Sequence, residues 1–471
     1  MNEPLVKRFA SSAVFVLISR LMAFIAIFGF NALLARALTP EDFGIFILLF
    51  SFLVLISLVS NGGLNIAVVK LIAQTQDANK DSSGTLSTTK LLKELIPVVA
   101  VASLSLAVLA YFLVASWLAG SLGTHANLIA LLFAMSALMR SLHLMLAESA
   151  RGFHDRIWSN LFGSIAGGPL PHLVFLVLLG ITYGYECLTL TTTFACYAAA
   201  FLITFPVICV KLFHLNKKND SASFELTGNE RGANKIPRAD KSHRLTLLAL
   251  AIPLMMTQVL GVGIAQTDIW LAGAFAAPAA LAIYAVAQRM LAFLTIPLQI
   301  TNTAIISDVP QLFQQKKMDQ LQKLVSLAAN ASALPALVVG AILLSFPETI
   351  LGLAFGEYYS SGAILLKILV LGQLICVATG PCQVVLMMTG HEKTAMIVNF
   401  FTAILAVLSG LLGVCYFGMV GLATSVSMTI VLQNVCNWWI VKKQVGVDTR
   451  CGLNLVELST ILNPLKTKKA Y

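Results

Sequence analysis

Long apolar segments recur along this chain, and they restrict its fold more than any other feature. Most of them exceed the roughly 18 residues that a helix needs to cross about 30 Å of hydrocarbon. Breaks that contain charged residues, glycine or proline separate them. Segments of alternating polarity about ten residues long, which are typical of an outer-membrane barrel, are absent from the sequence. The pattern therefore predicts an all-α polytopic membrane protein.

The composition leads to the same prediction. The chain has 471 residues, of which 58% are hydrophobic and 11% charged, whereas an average soluble domain is about 45–50% apolar. Its formal net charge is +10, and the basic residues flank the apolar segments. We therefore attribute the charge to membrane topology and expect no nucleic-acid partner. The eight cysteines form no CxxC pair, which argues against a disulfide framework and against a metal site.

The segment lengths predict about twelve transmembrane helices. An even number of spans places both termini on the same side of the membrane. The predicted spans cover residues 11–36, 43–68, 95–118, 126–148, 158–182, 187–211, 246–273, 279–303, 325–353, 361–388, 394–416 and 418–441.

The connections between these spans alternate in charge. One set carries lysine and arginine, and it includes both termini and the central loop. The other set carries neither, and it consists of LTPEDFG, AGSLGTHA, TYGYE, AFAAPA, GEYYS and the turn near Gly418. Because basic loops are retained on the cytoplasmic side, we expect both termini and the central loop to be cytoplasmic.

The longest polar stretch divides the predicted spans into two equal groups. The sequence thus predicts an N-terminal six-helix bundle (1–213), a flexible cytoplasmic linker (214–244), a C-terminal six-helix bundle (245–441) and a cytoplasmic tail (442–471). A weak internal similarity between the halves predicts two parallel repeats, related by a pseudo-two-fold axis along the membrane normal. Two such bundles enclose a cavity, which is the architecture of alternating-access transport.

Short motifs in both halves carry a family resemblance. An LLAR segment is followed by the turn Pro40–Gly44 and by a Gly-x-x-x-Ala run, Gly63–Ala67. In the second half, Asp268 precedes the pair Ala272–Gly273, and Tyr284 lies in the next span. These residues resemble the polysaccharide (O-antigen type) flippase family of the multidrug/oligosaccharidyl-lipid/polysaccharide exporter superfamily.

The resemblance implies a flippase for undecaprenyl-pyrophosphate-linked oligosaccharide repeat units. It would act by alternating access in the bacterial cytoplasmic (inner) membrane, during biosynthesis of a surface polysaccharide such as lipopolysaccharide O-antigen. Its partners are then the polyprenyl-pyrophosphate-linked oligosaccharide and the lipid bilayer. The resemblance also implies a glycan polymerase and chain-length machinery as partners.

Two alternatives remain open at this stage. Sibling families export cationic drugs or flip the peptidoglycan precursor, so a cation-coupled multidrug exporter is the first alternative. A lipid-linked glycan polymerase is the second, although such an enzyme would need a long charged outer loop and the outer loops here are short. The sequence contains no Walker loop, GxSxG or HExxH motif, so we expect no catalytic residue, no cofactor and no enzyme activity.

Charged residues inside the predicted spans are the candidate site residues. Each costs about 2.5–3.5 kcal/mol on insertion scales, so such residues usually face a bundle interior or a water-filled cavity. They are Arg20, Arg140, Glu148, Asp268, Arg289 and Lys367. Basic groups predominate, and a basic cavity attracts a pyrophosphate and repels a cationic drug. We therefore predict that Arg20, Arg289 and Lys367 bind the pyrophosphate.

Two interpretations of Asp268 stay open. It either pairs with Arg289 and locks two helices together, or it serves as a gate or an ion-coupling group. For Arg140, Glu148 and Lys367, snorkelling towards an interface is the simpler interpretation. Without an ATP-binding motif, transport would depend on an ion gradient or on substrate supply and removal.

The pyrophosphate-binding hypothesis makes a direct prediction for Arg289. The substitution Arg289→Ala removes a guanidinium group that would donate hydrogen bonds to phosphate. We therefore expect it to abolish flipping while membrane insertion is retained. The measurement is the level of lipid-linked oligosaccharide in extracts of cells that carry this variant, with its amount in the membrane fraction determined in parallel. Unchanged flipping would contradict the role assigned to Arg289.

Overall fold

A computed structural model describes residues 3–78, 88–123, 125–153, 155–163, 167–226, 241–306 and 308–452. These residues form helices joined by short connections, and they contain no strand. The α-helices are α1 Glu3–Ala37, α2 Pro40–Asn61, α3 Leu64–Ala78, α4 Thr88–Leu122, α5 His125–Gly152, α6 Arg156–Phe162, α7 Pro169–Gly184, α8 Leu190–Leu226, α9 Lys241–Phe275, α10 Pro278–Met290, α11 Ala292–Ile305, α12 Asp308–Gln314, α13 Met318–Ser345, α14 Pro347–Phe355, α15 Ala363–Thr379, α16 Cys382–Met388 and α17 Glu392–Ile440. A 3-10 turn (Glu357–Gly362) precedes α15, and a π-helical turn (Val441–Val445) follows α17.

The helices confirm the predicted all-α polytopic class. Eight helices in the described part of the chain are long and apolar enough to cross a membrane, and the pair α10 and α11, bent by 40°, makes a ninth. The other predicted spans fall on helical segments that are short, interrupted or more polar. The span 158–182, for example, is broken between α6 and α7.

Helix α17 consists of two antiparallel helices. Gly418 at its centre has non-helical torsion angles (φ 62°, ψ −146°), in the left-handed region that glycine adopts without steric cost. Across this turn the Ser425 hydroxyl donates to the Ser409 carbonyl at 2.8 Å. The hairpin agrees with the two predicted spans 394–416 and 418–441.

The chain forms two compact units. The first comprises the described residues of Met1–Thr39 and Ile45–Gln266, and the second those of Pro40–Gly44 and Thr267–Tyr471. The grouping differs from the division predicted at residue 245, because the first part of α9 packs within the first unit. A Cβ atom added to Gly63 would lie 2.1 Å from the Ala251 carbonyl oxygen, so the two backbones are in direct contact there.

The first part of the predicted linker 214–244 is helical. Helix α8 continues to Leu226 and α9 begins at Lys241, so residues 214–226 are helical rather than flexible. The physical reason is local, since no glycine or proline occurs between Lys211 and Leu226 to end the helix. Residues 227–240 lie outside the described ranges.

The predicted cytoplasmic tail begins as a packed segment. Val445 and Val447 are buried in an apolar cluster with residues of α12 and α13. Further along, the Thr449 hydroxyl donates to the Thr379 carbonyl at 2.7 Å, and Gly380 (φ 71°) leaves room for the Thr449 carbonyl, which would lie 2.0 Å from an added Cβ. Residues 442–452 are therefore part of the second unit, and residues 453–471 lie outside the described ranges.

Residues Pro40–Gly44 of the sequence motif form the start of α2 and pack in the second unit. Phe43 is fully buried and its ring meets that of Tyr359 edge to face at 6.0 Å between centroids. A Cβ atom on Gly44 would lie 1.9 Å from the Pro278 carbonyl oxygen. The glycine of this motif is thus required by a close backbone contact.

We expect Gly44→Ala to lower the free energy of unfolding by about 1–3 kcal/mol, because an added methyl group must displace the Pro278 backbone. The measurement is thermal unfolding of the purified protein in detergent. Gly120→Ala is the matched control, since a Cβ on Gly120 in α4 meets no atom within 4 Å. Equal melting temperatures for both variants would contradict the close contact at Gly44.

Candidate substrate cavity

A cavity with several polar and charged side chains in its wall lies in the first unit between α1, α3, α5, α6, α7 and α9. Its volume is about 320 Å³. The lining residues are Ser19, Arg20, Ala23, Asn65, Ile66, Glu148, Arg151, Asn160, Gly163, Pro169 and Gln258. Most of them are polar, which distinguishes this cavity from the apolar packing elsewhere in the unit.

A break between α2 and α3 shapes one wall of the cavity. Gly62 and Gly63 both have positive φ angles, 55° and 78°, so the chain turns sharply there. Just after this turn, Asn65 and Gln258 form a reciprocal amide pair. The Asn65 amide donates to the Gln258 oxygen at 2.9 Å, and the Gln258 amide donates back at 3.2 Å. Both side chains are buried, so the pair fixes α9 against α3.

An ion pair lies at another wall, at the end of α5. The Arg151 guanidinium lies 3.1 Å from the Glu148 carboxylate, and 42% of the Arg151 side chain is exposed compared with 8% for Glu148. The Arg151 Nε–H also donates to the Ser159 hydroxyl at 2.9 Å. Arg20 of α1 is exposed and lines the same cavity. Among the described lining residues, two guanidinium groups thus accompany one carboxylate.

Arg151 lines the cavity although it is not among the predicted site residues, and Glu148 does not snorkel as predicted. Arg151 lies at the end of an apolar segment, where a basic residue is typical of a cytoplasmic connection. The spacing of three residues between Glu148 and Arg151 was the available signal, since such residues are neighbours on one face of a helix. The structure shows Glu148 held in the unit by this pairing rather than extended to an interface.

Arg140 does not snorkel either. Its side chain is 3% exposed. One guanidinium nitrogen donates to the Tyr197 hydroxyl at 2.6 Å, Nε–H approaches the Ser57 hydroxyl at 3.4 Å, and the group lies 5.9 Å from the centre of the Phe50 ring. These partners on α2 and α8 supply hydrogen bonds and an aromatic face, so the cation connects three helices inside the first unit.

The two buried histidines near Arg140 pack against aromatic rings. His143 stacks on Phe162 at 5.6 Å between centroids. His172 stacks on Phe30 at 5.8 Å, and its Nδ1 lies 2.8 Å from the Gly168 carbonyl oxygen. Neither histidine lines the cavity.

In the second unit Asp268 is buried and connects α9 to α10. Its carboxylate accepts from the Tyr284 hydroxyl at 2.9 Å, from the Gln288 amide at 2.6 Å and from the Ile269 backbone N–H at 2.9 Å. Tyr284 and Gln288 are four residues apart and share one face of α10, whereas Arg289 is rotated about 100° further round the helix.

The hydrogen bonds of Asp268 thus go to Tyr284 and Gln288 rather than to Arg289, although the opposite charges of Asp268 and Arg289 still attract each other. No ion pair joins these two residues, both of which the structure describes. Arg289 is half-buried, and its Nε has no hydrogen-bond partner among the described residues. Lys367 is exposed near the start of α15. Of the three basic residues predicted to bind pyrophosphate, the cavity of the first unit contains Arg20, while Arg289 and Lys367 lie in the second unit.

Comparisons with protein families give two matches. Residues 5–316 match the polysaccharide biosynthesis protein family. Residues 253–412 match the MatE family. Comparison with curated protein sequences gives no match.

The fold is similar to that of solved transporters. The lipid II flippase MurJ in an inward closed conformation has 14% sequence identity and a TM-score of 0.62, covering 98% of this chain and 93% of that one. An inward-facing multidrug resistance MATE family transporter of the MOP superfamily has 12% identity and a TM-score of 0.61, covering 92% and 98%. A MOP superfamily transporter from Pyrococcus furiosus, described as having a binding pocket of reversed polarity, has 13% identity and a TM-score of 0.57, covering 92% and 95%. At these identities the likeness shows the fold alone.

The reciprocal amide pair can be tested by a double-mutant cycle. We expect Asn65→Leu and Gln258→Leu each to destabilise the protein, because each leaves one buried amide without a partner. The double variant should lose about 0.6–1.7 kcal/mol less unfolding free energy than the sum of the losses in the two single variants. This is the range measured for interhelical hydrogen bonds in membranes. The measurement is equilibrium unfolding in detergent. Additive effects would show that the two amides do not interact.

Proposed function

The chain belongs to the polysaccharide biosynthesis protein family, and from this premise we propose that it is a flippase for a polyprenyl-pyrophosphate-linked oligosaccharide. The substrate is an undecaprenyl-pyrophosphate-linked repeat unit, moved from the cytoplasmic to the outer leaflet by alternating access. The pathway is the biosynthesis of a surface polysaccharide such as lipopolysaccharide O-antigen in the bacterial inner membrane, with both termini in the cytoplasm. A glycan polymerase with its chain-length machinery would receive the product.

The charge of the cavity carries this proposal. Arg20 and Arg151 face it with a single carboxylate, Glu148, among the described lining residues. Guanidinium groups bind phosphate oxygens through paired, charge-assisted hydrogen bonds, and they repel a cationic drug. The polar side chains of Asn65, Asn160 and Gln258 supply further donors and acceptors, which suit a sugar or a phosphate equally.

Residues of the second unit have proposed roles in the same process. Arg289 and Lys367 are further candidate pyrophosphate ligands, because a buried Nε without a partner and an exposed ammonium group can both donate to phosphate. We propose that Asp268 acts as a gate or an ion-coupling group, through its hydrogen bonds to Tyr284 and Gln288. Breaking these two bonds would release α9 from α10.

A cation-coupled multidrug exporter is the second candidate function. The observation that favours it is the similarity of the fold to MATE family transporters. Such an exporter would require a cavity in which carboxylates predominate, and the cavity of the first unit has the opposite composition. The structural similarity is compatible with both functions, so the sign of the cavity charge decides our preference.

The two functions are distinguished by lipid analysis of cells that lack the gene. We expect a pyrophosphate-linked oligosaccharide to accumulate on the cytoplasmic side, and its mass would identify the glycan. Complementation with Arg20→Gln should slow flipping by about ten- to a hundredfold, since a charge-assisted hydrogen bond contributes about 1.5–3 kcal/mol. Arg36→Gln is the matched control, because Arg36 lies on the same helix but does not line the cavity.

Two results would contradict the proposal. Normal lipid intermediates combined with sensitivity to cationic dyes would favour the drug exporter. Full complementation by Arg20→Gln, at equal protein levels, would show that this cavity does not bind the pyrophosphate.

A further inference from the structure

The ion pair at the end of α5 is asymmetric. Glu148 and Arg151 lie 3.1 Å apart, yet the carboxylate side chain is almost fully enclosed and the guanidinium side chain is 42% exposed. Both residues line the substrate cavity. An anion that enters the cavity can therefore reach Arg151 directly, whereas most of the Glu148 side chain is covered by protein.

Arg151 is the ion-pair partner of Glu148 among the described residues. The elements that pack on α5 or line the cavity with it carry several other charged or titratable groups. Those whose side chains are described include Arg20 on α1, Lys93 and Glu94 on α4, Arg140 and His143 on α5, Asp155 before α6, His172 on α7, and Tyr197, Cys209 and Lys211 on α8. Lys211 is paired with Asp155 at 3.1 Å, and Arg140 donates to Tyr197. The side chains of Lys70 on α3 and Arg156 on α6 lie outside the description.

We propose that proton binding by Glu148 is coupled to substrate binding. When a pyrophosphate binds Arg151 and breaks its ion pair with Glu148, the Glu148 carboxylate binds one proton. This inference rests on the proposed function. Arg151 exchanges a carboxylate for phosphate oxygens, which its planar guanidinium binds in a bidentate manner. The carboxyl O–H bond is the one bond that forms, and its proton comes from the buffered solvent.

Two physical effects favour the proton on Glu148 once the exchange has occurred. The carboxylate is enclosed and has lost its counter-ion, and a buried charge without a partner is neutralised more readily than it is retained. It also then lies beside a second anion, which disfavours its charged form further. When the pyrophosphate leaves, Arg151 returns to Glu148 and the proton is released.

The charges of the loaded cavity support the same conclusion. A pyrophosphate diester carries two negative charges, and the guanidinium groups of Arg20 and Arg151 carry two positive ones. The sum is zero when Glu148 is protonated and negative when it is ionised. A neutral loaded cavity avoids moving a net charge through a low-dielectric region, which is costly.

Calorimetry measures this proton uptake directly. The full-length protein in nanodiscs is titrated with farnesyl pyrophosphoryl N-acetylglucosamine, a diester probe, in two buffers of different ionisation enthalpy at pH 7. We expect the wild type to take up about one proton per probe bound, with a Kd that rises about tenfold per pH unit above neutrality. Glu148→Gln should bind the probe with no proton uptake and a pH-independent Kd.

Two further variants make the test independent of the folding of Glu148→Gln. Arg151→Gln leaves the carboxylate in place but removes its partner, so Glu148 should already be protonated and uptake should disappear. Glu94→Gln is the matched control: Glu94 is a half-buried carboxylate on α4 outside the cavity, and uptake should equal that of the wild type.

The outcomes separate this inference from the function on which it rests. Binding of the probe by the wild type without proton uptake, or equal uptake in Glu148→Gln or Arg151→Gln, would overturn the inference and leave the flippase proposal standing. A folded wild-type protein that does not bind the probe at all would overturn the proposed function, and this inference with it.

Discussion

The hydrocarbon interior of a membrane contains no water to satisfy polar groups, and this constraint governs the whole molecule. It requires backbone hydrogen bonds to close within each segment, so the described chain is helical throughout. It also requires each charged side chain to find a partner inside the protein. Arg140 with Tyr197 and Asp268 with Tyr284 and Gln288 satisfy that requirement in the interior of the two units. The ion pair of Glu148 and Arg151 at the cavity is different, because Arg151 is partly exposed and can exchange its partner when a substrate binds.

Close backbone contacts at glycine determine where the helices meet. Gly63 admits the α9 backbone at Ala251 in the first unit, and Gly44 admits Pro278 in the second. Dispersion between closely packed backbones substitutes for the hydrophobic driving force that is absent in lipid. The motif glycines that resemble those of the flippase family are therefore packing residues.

The sign of the cavity charge, rather than the fold, separates the two candidate functions. Flippases and multidrug transporters are both among the proteins of similar fold, so the architecture does not choose between them. Arg20 and Arg151 provide the distinction, since the drug exporter would need carboxylates in their place. Glu148 is proposed to link binding of an anion to binding of a proton, because its carboxylate is enclosed while its arginine partner is exposed to the cavity.

The sequence by itself determined the class of protein, the helical segments and the hairpin at Gly418, because apolar length and glycine torsion are local properties. The cost of a charge in hydrocarbon also singled out Arg20 and Asp268 as candidates, and their roles in binding and gating stay predictions. Only the tertiary structure decided which side chains meet. It paired Asp268 with Tyr284 and Gln288 instead of Arg289, buried Arg140, brought Arg151 to the cavity, and packed the first part of α9 with the first unit. These outcomes depend on helix rotation and on contacts between residues far apart in sequence, and periodicity along a single segment contains neither.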